Sequence, residues 1–219
     1  MMSRPAGVLR LGVRAFGPTE LLVMAVVNGA SKPAAAMSRV HEAVAEGADI
    51  VEVPVGPDAE CERAVRFIAA VRAAYPELIV GVSTGRPEVA RRACAAGADL
   101  LRGEHFGVAA EFGTGVVCPA ARTAGAAEAG VPVERIVIEA EGTRELAELV
   151  ADGWPVLVSV VDPEPGGALA TAAVAAWLGA RVFRVPQVRA ARRALRMALA
   201  IRGDIPPAYA VRGLALGLG

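Results

Sequence analysis

The sequence predicts one α/β domain over residues 1–219, a (β/α)8 TIM barrel with shortened βα loops and an irregular fourth unit. The length and the 54% share of hydrophobic residues suffice for one large buried core. A recurring junction joins an Ala-rich helix end, Gly-Ala, one charged residue and a mainly apolar strand, in the copies "AVAEGADIVEV", "ACAAGADLLRG" and "AAWLGARVFRV". Glycine at positive φ ends each helix, and the apolar run that follows is typical of a strand buried on both faces.

Eight such units follow one another, as a TIM barrel requires. The predicted strands are centred near Met24, Val51, Val80, Leu101, Val117, Val137, Leu157 and Phe183. The predicted helices span residues 34–46, 59–74, 87–96, 106–112, 122–129, 143–151, 168–178 and 188–202. Only about one or two turns of helix fit between Leu101 and Val117, so a doubly wound sheet remains the alternative. Upstream, the alternating segment "VLRLGVRAF" indicates a strand or hairpin at the bottom of the barrel.

Charge and cysteine content exclude several classes of function. The formal net charge is zero, so there is no basic excess for nucleic-acid phosphates or anionic lipid, and we expect neither partner. The three cysteines are far apart and have no zinc-binding spacing, which fits a reducing cytoplasm. The N-terminal arginines and the run "LLVMAVV" resemble a secretory signal, but Pro18 to Glu20 interrupt that pattern, so export is the disfavoured alternative.

Polar residues at the predicted strand ends are the candidates for chemistry, because TIM-barrel sites lie where strands pass into βα loops. These residues are Asn28, Glu52, Ser83, Thr84, Glu104, His105, Cys118, Glu139, Glu141, Ser159, Asp162, Arg184 and Gln187. Glu52 lies between apolar strand residues and needs a partner if it is buried. Ser83 and Thr84 have the alternative role of capping the next helix, which has Pro87 near its first turn.

Other candidates have structural alternatives. A solvent-exposed loop accounts for His105 better than catalysis does, because no second histidine belongs to the pattern. Cys118 precedes Pro119 and has the position of a nucleophile, but a lone strand cysteine is usually a small core residue. Glu139 and Glu141 form a close carboxylate pair, which suits acid–base chemistry and a solvated turn equally well.

Several segments, taken in order, extend from about Leu21 to Arg202: they are "LLVMAVVN", "EGADIVEV", "VGVSTGRPEVARRACAAGADLL", "RIVIEA", "PVLVSV" and "GARVFRVPQV". In this order they resemble the dihydropteroate synthase family of pterin-binding barrels. The resemblance implies a barrel of the folate pathway. That family joins a pterin pyrophosphate to p-aminobenzoate, with loss of pyrophosphate and help from Mg²⁺.

The resemblance assigns site roles to part of this chain. Asn28 matches a first-strand asparagine that the family associates with metal and pyrophosphate, which makes Mg²⁺ the implied cofactor if pyrophosphate binds. Arg184 matches the anion-holding arginine of the family. Glu139 stands in place of a pterin-binding aspartate and is longer by one carbon. Together with Glu52, Ser83 and Arg102, these residues form the predicted ligand-binding set.

Other family positions have changed. Ser83 stands where the family has a pterin-binding aspartate, Arg102 where an asparagine meets the pterin, and Pro186 where a histidine lies beside the arginine. The family lysine falls on "VDP" (161–163), and two substrate loops are reduced to "GASKP" and "VGPDAE". A serine offers one uncharged hydrogen bond in place of a charged bidentate clamp, so these changes predict weak substrate binding.

We therefore expect a degenerate family member without ordinary synthase activity that acts as a binding, partner or regulatory protein. An enzyme with altered chemistry or residual synthase activity is the alternative. The expected ligand is a pterin or an anionic small molecule, and an anion site is predicted at Arg184 and Asn28 unless Arg184 forms a structural ion pair with Glu139 or Glu52. The last helix and the apolar tail predict a homodimer, or pairing with a larger homologue, through residues 191–201.

Overall fold

A hairpin precedes the main sheet in the computed structural model, which describes residues 7–29, 33–56, 58–160 and 164–206. Its strands β1 (Leu9–Leu11) and β2 (Arg14–Phe16) pair antiparallel, with Leu9 opposite Phe16. Leu9, Leu11 and Phe16 are at most 1% exposed and pack in one cluster with side chains inside the barrel. The hairpin therefore closes the amino-terminal end of the barrel, which confirms the prediction from the alternating segment.

Eight parallel strands form the closed barrel. They are β3 (Leu22–Val26), β4 (Ile50–Pro54), β5 (Ile79–Ser83), β6 (Leu100–Arg102), β7 (Gly115–Cys118), β8 (Ile136–Glu139), β9 (Val156–Ser159) and β10 (Val182–Val185). Neighbours in the chain are neighbours in the sheet, and β10 pairs with β3 to complete the ring, with Arg184 opposite Met24. The predicted TIM barrel is confirmed, and the doubly wound alternative is wrong.

A helix follows each barrel strand. The helices are α1 (Pro33–Ala45), α2 (Asp58–Ala74), α3 (Pro87–Ala95), α4 (Phe106–Phe112), α5 (Thr123–Glu128), α6 (Thr143–Ala151), α7 (Pro165–Trp177) and α8 (Val188–Arg202). The short fourth helix is confirmed, since α4 has seven residues and ends at Gly113 with φ 64°. Helix α5 has only six residues and follows a 3₁₀ turn at Ala120–Arg122. The strand-to-helix connections are short, the longest being residues 27–32.

Apolar side chains fill two volumes. The larger lies between the outer face of the barrel and the surrounding helices. The smaller lies inside the barrel above the hairpin and contains Leu22, Met24, Ile50, Ile79, Leu100, Val117, Val137, Leu157 and Val182. Because this inner cluster fills the lower part of the barrel, only the carboxyl-terminal end is left for polar side chains.

The acidic residue of the repeated Gly-Ala junction links a strand to a helix. Asp49 Oδ2 accepts a hydrogen bond from the Val23 backbone N–H (2.8 Å) and forms an ion pair with Arg192 of α8. Asp99 makes the equivalent contacts two strands further along the barrel. It accepts a hydrogen bond from the Val80 backbone N–H (2.9 Å) and forms an ion pair with Arg72 of α2. The charged position of the repeat is therefore structural at the bottom of the barrel.

The third copy of the junction carries Arg181 in place of an aspartate. Arg181 is 6% exposed and donates hydrogen bonds to backbone carbonyl oxygens of Gly7 (2.8 Å) and Phe16 (3.1 Å). It also contacts the Gly17 carbonyl oxygen. Burial lowers the pKa of the Arg181 guanidinium, although the charge of Glu20 opposes this effect. The arginine thus fastens the hairpin to the amino-terminal end of the barrel.

Candidate functional site

The candidate site is the carboxyl-terminal mouth of the barrel, where the inward-facing residues change from apolar to polar. Side chains alternate along a strand, so a residue two positions beyond an inward-facing residue also points inward. Glu52 and Arg102 lie two positions beyond Ile50 and Leu100, which belong to the inner cluster. The inward polar residues found in this way are Glu52, Ser83, Arg102, Glu139, Ser159 and Arg184.

Arg102 and Glu139 form a bidentate ion pair across the mouth. Arg102 Nε donates to Glu139 Oε2 (3.0 Å), and Arg102 Nη2 donates to Oε1 (2.7 Å). The Ser159 hydroxyl donates to the same Oε1 (2.8 Å). Both side chains are part-buried, at 32% and 23% exposure. Parallel charge-assisted bonds of this kind are stronger than neutral hydrogen bonds and fix both side chains in one orientation.

Charge complementarity keeps Glu139 ionised in this setting. Burial by itself would raise the pKa of the Glu139 carboxyl. The hydrogen bonds from Arg102 and Ser159, together with the charges of Arg102 and Arg184, outweigh burial and lower the pKa below its ordinary value. Glu139 is therefore a carboxylate whose charge is already compensated by the chain, and it is a weak proton acceptor near neutral pH.

Glu52 and Arg184 form the second ion pair of the mouth. Arg184 Nε donates to Glu52 Oε2 at 2.6 Å, while Glu52 is only 1% exposed and Arg184 21%. Glu52 Oε1 accepts no hydrogen bond from the part of the chain that the structure describes. The pair is the structural alternative foreseen for Arg184, and it supplies the partner that a buried Glu52 requires.

The remaining residues of the predicted ligand-binding set lie at the rim. Ser83 is the last residue of β5 and stands opposite Arg102 in the sheet register. Asn28 is exposed two residues beyond the end of β3. The structure therefore brings Glu52, Ser83, Arg102, Glu139 and Arg184 to one mouth, with Asn28 past its edge. Their roles in binding a ligand, and that of Asn28 in binding metal, stay predictions.

Three other sequence-based interpretations can now be assigned. Thr84 does not cap the next helix: the N-cap of α3 is Arg86, and the Thr84 hydroxyl instead accepts from the Arg86 N–H (3.3 Å). A solvent-exposed His105 is also wrong, since it is 7% exposed with Nε2 hydrogen-bonded to the Thr84 carbonyl oxygen at 2.8 Å. Cys118 is a buried core residue, and burial raises the pKa of its thiol to about 11. Asp162 lies outside the described residues.

Ser159 is the residue of the mouth that the predicted ligand-binding set does not include. The available signal was its position in β9, two residues beyond the inward-facing Leu157. Glu141, which the sequence pairs with Glu139, lies elsewhere: its N–H donates to Glu145 Oε2 (2.8 Å) at the exposed start of α6. The two glutamates therefore do not form an acid–base pair.

The polar groups of the mouth do not fit Mg²⁺. This ion prefers octahedral oxygen ligands, usually with one or two carboxylates. Among the described residues there is no cluster of three or more His, Cys, Asp or Glu, and the two carboxylates of the mouth are each paired with an arginine.

A cavity of about 400 Å³ lies outside the barrel between α1 and α8, where Glu42 and Arg193 line it, and it is not part of the mouth.

Similarity to known proteins agrees with this architecture. A family profile described as "Pterin binding enzyme" matches residues 27–152, more than half of the chain. The fold and this match define the class as pterin-binding barrels. The chain belongs to the dihydropteroate synthase family within that class. It is thus a dihydropteroate synthase-like protein, as the order of its segments predicts.

Relatives extend over most of the chain. A Mycobacterium tuberculosis protein named inactive dihydropteroate synthase 2 is 37% identical over 278 aligned positions, which cover 89% of this chain and 87% of the relative. A Mycobacterium leprae protein of the same name is 36% identical over 276 positions, covering 89% of this chain and 95% of the relative. Both alignments exceed the 219 residues of this chain, so the relatives contain residues that have no counterpart here.

Solved structures show the same fold. Mycobacterium tuberculosis Rv1207 superposes with a TM-score of 0.81 at 39% identity, covering 90% of this chain and 99% of that one. Yersinia pestis dihydropteroate synthase, solved with a pterine-sulfa conjugate, superposes with a TM-score of 0.79 at 19% identity, covering 90% and 99%. At this lower identity the likeness concerns the fold alone. No helix in the described part of the chain is long and apolar enough to cross a membrane.

Proposed function

We propose that this protein is a non-catalytic member of its family, related to folate biosynthesis, which acts by binding a ligand or a protein partner. The observation that carries the proposal is the state of Glu139, whose two carboxylate oxygens already accept three hydrogen bonds from Arg102 and Ser159. The mycobacterial relatives named inactive dihydropteroate synthase 2 support it. The three free, buried cysteines support a reducing, cytoplasmic location as part of the same proposal.

A pterin would meet a site that the chain has already neutralised. The resemblance places a pterin-binding aspartate at Glu139, and a pterin ring would have to displace a bidentate guanidinium from that carboxylate. At Ser83 the family aspartate is gone, so no second carboxylate replaces the lost contact. Each tenfold loss of rate corresponds to about 1.4 kcal/mol of transition-state stabilisation, and several missing contacts together remove ordinary turnover.

The test combines a turnover assay with a binding assay. The purified protein is supplied with a pterin pyrophosphate, p-aminobenzoate and Mg²⁺, and pyrophosphate release is followed beside Yersinia pestis dihydropteroate synthase as the positive control. We expect no release above background. Calorimetry with the pterin, p-aminobenzoate and pyrophosphate then identifies any retained ligand. Steady pyrophosphate release by the wild-type chain would overturn the proposal in favour of residual or altered enzyme activity.

An anionic small molecule is the second class of ligand that we propose for the mouth. Arg184 bonds Glu52 through Nε only, and its side chain is 21% exposed, so part of the guanidinium is accessible to solvent. Pyrophosphate titrated by calorimetry into the wild type should therefore bind more tightly than into Glu52→Gln/Arg184→Gln. The double substitution removes both charges together, so that no buried carboxylate is left without a counter-ion. Equal affinities would remove the anion from the proposal.

A second copy of the chain is the proposed protein partner. Helix α7 contains no charged residue, and its Val174 and Trp177 are 51% and 54% exposed. On the adjoining α8, Met197 and Ile201 are 62% and 69% exposed, and Arg202 of α8 donates to a carbonyl oxygen of α7. Exposed apolar side chains gathered on two adjoining helices are typical of the core of a subunit interface. The apolar tail predicted to join it lies outside the described residues.

Light scattering tests this pairing. We expect a dimer for the wild type and a monomer for Trp177→Asp, because the charge would be buried at the interface. Phe112→Asp is the matched control, since Phe112 is an exposed aromatic residue (38%) on α4, outside the face formed by α7 and α8. A wild-type monomer at high concentration, or identical behaviour of the two variants, would remove the second copy as partner.

A further inference from the structure

The mouth contains a group that chemically resembles a ligand. A guanidinium presents parallel N–H donors in a rigid plane, which match the two oxygens of a carboxylate. Arg102 uses this fork fully, with Nε on one oxygen of Glu139 (3.0 Å) and Nη2 on the other (2.7 Å). The Ser159 hydroxyl donates to the same carboxylate (2.8 Å) and so holds the carboxylate in an orientation that suits a planar donor.

The pair bridges over β7 at one side of the mouth because its two strands are not neighbours. Strand β7 lies between β6, which ends with Arg102, and β8, which ends with Glu139. Val117 of β7 stands opposite Arg102 in the register and is 1% exposed. The guanidinium and the carboxylate therefore close this side of the mouth above the apolar layer.

We infer that Arg102 is an intramolecular ligand of Glu139: it occupies, from within the chain, the place of an external group with two parallel N–H donors, and so closes the mouth to molecules of that class. The inference rests on the proposed function and deepens it, because it names the contact that keeps the site closed. The relevant external groups are guanidinium, amidinium and the donor edge of a 2-amino heterocycle, which share the same planar pair of donors.

Tethering explains why such a ligand is excluded from the wild type. Linking two binding groups in one molecule gives the internal partner an effective concentration of about millimolar or more, and a correct orientation raises it further. Arg102 always has that advantage over a free ligand. Because its side chain is 32% exposed, a ligand from solvent can reach the same place once the side chain is shortened. Removal of the guanidinium should therefore create a vacant site with the chemistry of the missing group.

Chemical rescue of Arg102→Ala tests the inference. Methylguanidinium at millimolar concentration should raise the melting temperature of Arg102→Ala, and the rise should grow with the methylguanidinium concentration, since a ligand that binds only the folded state stabilises it. The wild type should show no shift. Methylammonium carries the same charge without the planar fork and should not rescue. Arg102→Asn, which keeps a short polar side chain, serves as the second background if Arg102→Ala fails to fold.

Two control variants separate this site from other arginine contacts. Arg91→Ala removes an exposed arginine from its ion pair with Glu111, where both side chains are about half exposed, so methylguanidinium should not stabilise it. Adding Glu139→Gln to Arg102→Ala should abolish the rescue, because the fork then has no carboxylate.

The outcomes distinguish this inference from the proposed function. Absence of rescue in both backgrounds, equal rescue by methylammonium, or rescue of Arg91→Ala would each overturn it. Turnover by the wild type would overturn the proposed function. The rescue experiment tests the role of Arg102 independently of that result.

Discussion

Removal of Arg184 should destabilise the barrel strongly, because it leaves a carboxylate buried without its counter-ion. Glu52 is 1% exposed and bonds Arg184 Nε at 2.6 Å. Breaking a buried pair by removing one partner costs about 3–5 kcal/mol, and the 21% exposure of Arg184 favours the lower end. For Arg184→Met we therefore expect a loss of about 3 kcal/mol in the free energy of unfolding, which lowers the melting temperature by about 6–12 °C.

Urea unfolding at neutral pH, followed by circular dichroism, measures this change. The midpoint should fall while the slope stays the same, since the surface exposed on unfolding hardly changes. Glu52→Gln/Arg184→Met should recover much of the loss, because an amide carries no buried charge. Arg91→Met is the exposed control, and its loss should stay within about 1 kcal/mol. Equal losses for Arg184→Met and Arg91→Met would refute the reasoning.

Three more predictions concern other parts of the molecule. Arg181→Met should release the hairpin, so that amide hydrogen exchange accelerates in β1 well beyond that in β5; equal rates would contradict the role of Arg181. Glu139 has a lowered pKa, so its stabilising contribution is present above its unfolded value of 4.5 and disappears as the pH falls through the folded value; acid titration should show a smaller loss of stability for Arg102→Met than for the wild type. Cys94 and Cys118 have thiol pKa values raised by burial to about 11, so thiol reagents should react with the native protein far more slowly than with the unfolded chain, and the free energy of unfolding should fall between pH 9.0 and about 11.

Local patterns were sufficient to predict the elements of the fold. Gly97 has φ 107°, and a Cβ there would lie 3.0 Å from Arg72 Cγ, so glycine is favoured at this position between the end of α3 at Ala95 and the start of β6 at Leu100. The hairpin followed equally from alternation, since Leu9 and Leu11 face the core while Arg10 between them is exposed. Both signals depend on a few adjacent residues, which a single sequence contains.

The partners within the mouth depended on the closed ring and were less predictable. Glu139 stands 37 positions from Arg102 in the chain, and only the curvature of the barrel brings the two side chains together. The sequence left Glu52 and Glu139 as alternative partners for Arg184, and in the structure Arg184 forms its ion pair with Glu52. His105 was misjudged because the lack of a second histidine in the pattern favoured an exposed loop, whereas its ring packs beside Gly103 and bonds the Thr84 carbonyl oxygen.

The polar anchors at the bottom of the barrel have a consequence for how the chain can change. Asp49, Asp99 and Arg181 tie strands, helices and the hairpin together at the end opposite the mouth. Apart from the buried Glu52–Arg184 pair, the polar contacts that fasten the elements of the barrel together therefore lie away from the candidate ligand site. Outside that pair, substitutions of exposed residues at the upper rim can accumulate without loss of the native state, which gives this barrel a mutational tolerance suited to drift and equally to the engineering of a new binding site on an unchanged base.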